Sequence, residues 1–576
     1  MLPALEKWRL GSGRLTSRRM ETDVLVIGGG CAAARAALEA RAAGAEVLVV
    51  VKGAFGRCGA TAFRVSDIGS FSIADGCRDP EDGPEHHFQE TMDAGMGVCN
   101  PALVRVLAED APRVISDFER LGIPFMEENG KHLLHVACFG RRPRMHIVEG
   151  FGYPVLAKFR KEIENRNILI LSHTLATDLA VRNNRCVGAL ALDHENQAIA
   201  IEAGSTILAT GGAGQLFLHT LYPSDLTGDG YGMALRAGVD LVNMEFMQMG
   251  IGLATPKLLL GNWVWALQPK AVNRAGEPIL LKYLPANVSV EECMEDKSKH
   301  WPFSVEHLAR HIDIAIFRES GQQAVKKEHT VFLDARNQRD KIREDHPLLG
   351  MRFRWLLNHG VDIRSNPVAV RNYSHSFGGG VRIDSLGRSS LPGLYAAGEA
   401  AGGMHGANRV GGNMLLACQV FGARAGRNAA QEALGTRSCI PAETMDQLLA
   451  AMNEMRGKGK RESLPRIRKR IQNLFQAKLM VIRNQKWLQE ALDGVRELRE
   501  DLRELRTDRP RDLKQLLELR NLLDVGEVVA ASALRRRESR GSHYREDFPN
   551  RDERLSCPVI VRSEAGCITL NEARPS

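Results

Sequence analysis

A β-branched run that ends on three glycines constrains this 576-residue chain more than any other feature. Asp23-Val24-Leu25-Val26-Ile27 has the apolar, branched character of a strand buried on both faces. It enters Gly28-Gly29-Gly30-Cys31-Ala32-Ala33, after which an alanine-rich helix is expected over Ala34 to Ala43 and a second strand over Ala45 to Val51. Strand, glycine turn, helix and strand within about 30 residues is the setting in which a G-x-G-x-x-G/A match carries meaning. Gly28, Gly30 and Ala33 hold its three special positions. Backbone N–H groups in such a turn, and the positive helix end behind it, suit a pyrophosphate. The fold class that follows is α/β with a Rossmann-like sheet.

Composition bounds the rest. A chain this long divides into roughly two to four domains. With 44% apolar and 25% charged residues it is neither disordered nor fibrous. The net charge of +8 comes from interleaved signs, and no zinc-finger spacing or RNA-binding aromatic motif occurs, so no nucleic-acid partner is expected. The 11 cysteines are scattered with no C-x-x-C pair. That argues against a disulfide framework or an iron–sulfur cluster, leaves no metal site expected, and points to a reducing cytoplasm. Met1 to Met20 is polar and basic without an apolar leader, and Met20 is an alternative start. Met249 to Leu267 is interrupted by Pro256 and Lys257, so no membrane span is expected.

Later segments repeat the strand-to-glycine theme. Ser205 to Thr210 runs into Gly211-Gly212-Ala213-Gly214, and Leu394-Tyr395-Ala396-Ala397-Gly398-Glu399 is a short strand ending in an acid. His405-Gly406-Ala407-Asn408-Arg409-Val410-Gly411-Gly412-Asn413 puts a guanidinium among three glycines, where a bidentate fork can grip an anion. Together these resemble the signatures of the succinate dehydrogenase and fumarate reductase flavoprotein family, which includes L-aspartate oxidase and the adenylylsulfate reductase flavoprotein subunit. Leu226-Thr227-Gly228-Asp229-Gly230, Met244-Glu245-Phe246-Met247-Gln248 and Glu538-Ser539-Arg540-Gly541-Ser542-His543 extend the resemblance in order from Glu21 to about Arg554. It implies a two-dinucleotide-type FAD domain in two parts (21–249 and 352–437) after an N-terminal extension (1–20). An α+β capping domain (250–351) is inserted, and a helical domain (438–555) precedes an extended tail (556–576). In the helical part, Leu464 to Met480, Gln485 to Arg506 and Asp512 to Arg537 show leucines at i, i+3, i+4, with a break at Asp508-Arg509-Pro510. Their shortness favours a three-helix antiparallel domain over a coiled coil.

The resemblance also implies roles. Gly28, Gly30 and Ala33 would cradle the FAD pyrophosphate. Gly59, Ala60 and Thr61 would run beside the flavin, with Thr210, Gly211, Gly212 and Asp229 on the second dinucleotide turn. Glu399 would meet flavin ribityl or ribose hydroxyls, and Asn413, Leu415 and Leu416 would open a helix aimed at the flavin. Lys52 stands at the end of the second strand, where an acid commonly holds the ribose. No histidine occurs before Asp75, so the FAD is expected to be noncovalent. On the substrate side the family pattern survives as His375 and Arg409, the expected catalytic pair. Two other family groups are missing: Gly250 stands where a histidine is usual, and Asn262 to Lys270 holds Trp263 and Trp265 but no arginine.

The first functional reading is therefore an FAD-dependent oxidoreductase transferring hydride between flavin N5 and an anionic organic substrate. Electrons would pass to a separate iron–sulfur or ferredoxin-like subunit, and the tryptophans suggest a bulkier or flatter substrate. A second reading is L-aspartate oxidase or fumarate reductase proper, with Lys270 or Arg274 as relocated proton donor. A third is a non-catalytic electron-transfer flavoprotein.

Overall fold

The computed structural model describes residues 17–63, 65–66, 68–321, 330–337, 347–436, 439–455, 463–507, 510–564 and 566–572. At the centre of its largest sheet, β1 (Ser17–Ile27) runs parallel to β2 (Val47–Val50) on one side and to strand Ala198–Leu208 on the other. Leu169–Leu171 continues the parallel sheet beyond β2, and Leu394–Ala396 pairs with the end of Ala198–Leu208. Antiparallel strands Arg185–Leu192 and Leu175–Arg182 complete it. Val24, Leu25 and Val26 are wholly buried, as a parallel sheet covered on both faces requires. The sheet begins at Ser17 rather than at 21, so the end of the expected N-terminal extension belongs to β1.

Helix α1 (Cys31–Ala42) lies against the long helix Asn413–Ala433. Small residues make this approach possible: a Cβ on Gly426 would stand 2.3 Å from the Ala36 carbonyl oxygen. Both helices start on glycine N-caps, Gly30 and Gly412, which have no side chain to cap the first turn.

The cap has its own five-stranded sheet, formed by Leu258–Leu259, Met247–Leu253, Val368–Phe377, Val331–Asp334 and Lys270–Asn273. Trp265, Ile312, Ile316 and Phe353 share its separate apolar core. The sequence assigns 368–377 to the second part of the FAD domain, whereas the strand pairs in the cap sheet. Its two ends serve two cores, Val370 in the cap and Phe377 in the main body. The cap also buries an ion pair completely: Lys297 Nζ lies 2.6 Å from Asp313 Oδ2 and donates to the Trp301 carbonyl oxygen at 2.7 Å.

Helices Leu464–Leu479, Gln485–Glu504 and Pro510–Arg535 pack on one another, while Asp508 and Arg509 lie outside the described residues. The expected extended tail instead forms a hairpin, Val559–Glu564 with Cys567–Glu572. It adds to strand Leu241–Val242 because Val559 and Val561 are buried there. Among the described residues no helix is long and apolar enough to cross a membrane.

Removing the lysine of the buried pair strands a carboxylate in the cap core. Lys297→Met is expected to cost about 3–5 kcal/mol, measured as a lower thermal unfolding midpoint. Pairing it with Asp313→Leu is expected to recover most of the loss.

Candidate active site

One cavity runs from the glycine turn of β1 to the cap. Gly28, Gly30, Lys52, Gly59, Ala60, Thr61, Thr210, Gly211, Asp229, Glu399, Leu415, His375 and Arg409 all line it, as the sequence expects of them. Gly28 is held at φ 136°, and a Cβ there would meet the Ala209 carbonyl oxygen at 2.1 Å, so only glycine closes this turn. The starts of α1 and of helix Asn413–Ala433 both face the cavity through Gly30 and Gly412. Two helix N-termini on glycine caps in one cavity favour an anionic, dinucleotide-sized guest. The buried Thr210 hydroxyl, which has no protein partner, adds a polar group to the wall.

Four expected ligands lie behind that wall. Ala33 is buried in α1, where its small side chain serves helix packing, and Leu416 is wholly buried in the core. Gly212 backs the Glu399 carboxylate, which a Cβ would meet at 2.4 Å. Asn413 bonds His87 Nε2 at 2.9 Å and donates to Thr91 Oγ1 at 3.1 Å, which secures the helix start from beneath. Lys52 lines the cavity but is committed elsewhere. Its Nζ bonds Asp229 at 2.8 Å and Glu518 at 3.1 Å, tying the end of β2 to helix Pro510–Arg535.

Glu399 is a buried carboxylate with a defined set of donors. Tyr222 Oη donates to it at 2.8 Å and the Phe377 N–H at 2.9 Å. Burial pushes its pKa up to about 7, against the opposing pull of Phe377, Tyr222 and Arg409.

At the cap end His375 and Arg409 meet in the same cavity. The His375 ring lies parallel to Tyr222, with centroids 5.9 Å apart, and edge-on to Trp301 at 5.3 Å. Burial, then the charge of Arg409, lowers its pKa to about 3, so the imidazole is neutral and works by hydrogen bonding. Its Nδ1 has no protein partner. Arg409 is aimed by Gln248, whose Oε1 accepts from both Nε (2.9 Å) and Nη2 (2.5 Å), while Ser376 Oγ donates to the same oxygen. Burial also lowers the Arg409 pKa.

The two departures at the substrate end have a structural explanation. Trp301 occupies the space above Gly250, where a Cβ would meet the indole at 2.6 Å, and its Nε1 donates to the Ile251 carbonyl oxygen. Trp263 and Trp265 pack with the cap core and do not line the cavity, so they give no support to a bulkier substrate. Lys270 and Arg274 are exposed and also lie off the cavity wall. A second arginine is nevertheless present: Arg352, on helix Pro347–Asn358, is 3% exposed and lines the cavity. Tyr222, Gln248, Trp301 and Arg352 are the site residues that sequence reasoning missed. Only Gln248 stands in a family motif, Met244 to Gln248, where it was given no role of its own; Arg352 lies with Arg354 among the apolar residues of Leu348 to Leu357.

Glycine-lined helix starts, a buried acid and an arginine–histidine pair under a cap define a flavin-dependent oxidoreductase site. Comparison with known proteins agrees. The FAD binding domain family model matches residues 23–415, and the fumarate reductase flavoprotein C-terminal model matches 468–567. A fumarate reductase (CoM/CoB) subunit of Methanothermobacter marburgensis is 34% identical over 548 residues, covering 93% of this chain and 96% of that protein. L-aspartate oxidase 1 of Ralstonia nicotianae is 31% identical over 555 residues, covering 92% and 96%. The solved structure of Mycobacterium smegmatis Sdh1 in complex with UQ1 superposes with a TM-score of 0.84 at 27% identity, covering 97% of this chain and 94% of that one. The chain belongs to the fumarate reductase and succinate dehydrogenase flavoprotein family, and it is an FAD-dependent oxidoreductase.

The raised pKa of Glu399 predicts a pH signature. Its folded value of about 7 exceeds the ordinary 4.5, so its stabilising contribution is complete below 4.5 and lost as pH rises through 7. Flavin-free protein is expected to unfold more readily at pH 8 than at pH 5 through this group. Thermal melts of Glu399→Gln across that range should show a smaller pH dependence than wild type.

Proposed function

We propose that this oxidoreductase transfers a hydride between bound FAD and a small organic anion held by Arg409 and His375 beneath the cap. The observation that carries the reading is Arg409, a half-buried guanidinium oriented by Gln248 beside a neutral imidazole in the cavity shared with the glycine cradle. FAD, when bound, supplies a hydride donor or acceptor at N5. Gly28, Gly30, Gly59, Thr61 and Thr210 would hold its phosphates and flavin, with Glu399 near the sugar hydroxyls. Arg409 binds carboxylate, and His375 donates one further hydrogen bond. Arg352 supplies the second guanidinium, for the other end of the substrate or for its proton, the task for which Lys270 and Arg274 are too exposed.

A four-carbon dicarboxylate is the leading substrate class, supported by that second arginine and by the names of the relatives, fumarate reductase (CoM/CoB) and L-aspartate oxidase. Without a cysteine cluster in this chain, the onward electrons go to a separate iron–sulfur or ferredoxin-like subunit. The scattered cysteines, with no C-x-x-C pair among them, suit a reducing cytoplasm. No histidine stands on the flavin loop at 57–61, so the FAD is noncovalent, and acid precipitation is expected to leave all the flavin in the supernatant.

The deciding experiment follows flavin absorbance in anaerobic holoprotein. Reduced enzyme is mixed with fumarate, and oxidised enzyme with succinate or aspartate. One of these should change the flavin redox state. Arg409→Met should then lower kcat/KM by about 10²-fold or more while flavin content holds. Arg352→Met should lower kcat, by about 10²–10⁴-fold if Arg352 carries the proton. A flavin that responds to no organic anion would leave the non-catalytic electron-transfer reading in its place.

A further inference from the structure

Strand Gly69–Ser72 pairs antiparallel with Pro143–Val148, placing Phe71 opposite His146. The chain leaving the first strand turns at Gly76, whose φ of 72° brings Asp75 and Cys77 back over that histidine. A carboxylate oxygen, a thiol sulfur and an imidazole nitrogen then lie within 4.8 Å of one another. No part of the oxidoreductase site uses them.

The three groups face one another: the Cys77 thiol bonds Asp75, and Asp75 stands opposite His146. Asp75 Oδ1 accepts the Cys77 N–H at 3.1 Å, which leaves Oδ2 facing inward. His146 is wholly buried, and its Nε2 makes no hydrogen bond although Asp75 Oδ2 is only 3.4 Å away. On the far side of the ring, His146 Nδ1 bonds His132 Nδ1 at 3.0 Å. A proton on Nε2 would face Asp75 Oδ2 at 3.4 Å, too far for a well-formed hydrogen bond. With the proton on Nδ1, donated to His132, Nε2 turns a bare lone pair toward Asp75 and Cys77. A second residue fixing the tautomer of a ligating histidine in this way is a regular feature of metal sites. The 3.4 Å separation also fits: two N/O ligands at about 2.0–2.2 Å from a tetrahedral ion stand about 3.4 Å apart. Asp75 and Cys77 are half-buried, which gives an ion a way in.

A second trio, Asp296, His300 and His307, fails the same test. His300 Nδ1 accepts the Phe139 N–H at 3.2 Å, so its proton sits on Nε2 and no lone pair is left for an ion.

We propose that Asp75, Cys77 and His146 bind a zinc ion, with the fourth tetrahedral position left to water. One thiolate, one imidazole and one carboxylate form a mixed donor set that suits zinc over calcium or magnesium, which take oxygen alone. Binding releases one proton, from the Cys77 thiol as it becomes the ligating thiolate. The ion would clasp two strands whose Gly69, Ser70 and Met145 line the flavin cavity. The proposal departs from the expectation, drawn from the cysteine spacing, that the chain has no metal site: the ligands come from a turn and a strand far apart in sequence.

The test uses full-length, FAD-loaded protein grown with zinc and gel-filtered against a weak chelator, with metal measured by mass spectrometry. Wild type and the control Cys439→Ser should each retain about one zinc per chain. Cys77→Ser and His146→Gln should each retain less than about a tenth of that, with flavin content and elution volume unchanged. Zinc-edge X-ray absorption should show one sulfur ligand. Equal zinc in wild type and Cys77→Ser, traces only in wild type, or a shell without sulfur would each overturn the assignment. Should His146→Gln fail to fold, Cys77→Ser and the absorption shell decide it.

Discussion

Two helices touching backbone to backbone keep the working parts of this molecule in register. At Gly422 and Gly426 the helix Asn413–Ala433 has no side chain between itself and α1, where the nearest atoms include the carbonyl oxygens of Ala32 and Ala36. A methyl group at either position would push the helices apart, and close-packed interiors pass such a shift onward instead of absorbing it. Because both helices begin at the cavity, their separation sets the spacing of the two positive ends. The Gly28 turn fits against Ala209 with the same lack of tolerance.

The substrate end depends on a different force. Residues 536–545 thread a chain of buried charges beneath the Arg409 segment. Arg536 bridges Glu245 and Glu538 at 2.7 and 2.8 Å, Arg540 joins Glu538, and Arg483 donates to the Glu245 carbonyl oxygen and bonds His543. Such charges are expensive to desolvate and persist because nearly every donor is met. From this base the Ser542 N–H donates to Ala407 O, and Val305 of the cap donates to Gly541 O. One short C-terminal segment therefore positions both the arginine loop and the cap above it.

What was legible in the sequence follows from the range of the interactions involved. The glycine cradle was legible in the spacing of strand, turn and helix, whereas Glu399 and the His375–Arg409 pair were reached only through the family resemblance; the structure places all of them on one cavity. Lys52 and Asn413 were assigned to the cofactor, and the structure shows their polar atoms bonded to protein groups. A lysine at a strand end does not announce an ion pair with Glu518, on a helix from the other end of the chain. Arg352, Tyr222 and Gln248 were invisible for the same reason: their roles exist only once the cap is folded over the sheet. The tail was misread because two short alternating strands of 559–572 carry little signal until a partner strand stands beside them.

The contact between Gly250 and Trp301 bears on how this lineage can change. With the indole seated on that α-carbon, any side chain at 250 collides with it, whereas a smaller residue at 301 alone leaves a hole beside His375 and loses the bond to Ile251. Either first step is disfavoured, so the two positions form an evolutionary ratchet. A histidine at 250 is reached only by passing through a damaged intermediate or by changing both residues at once.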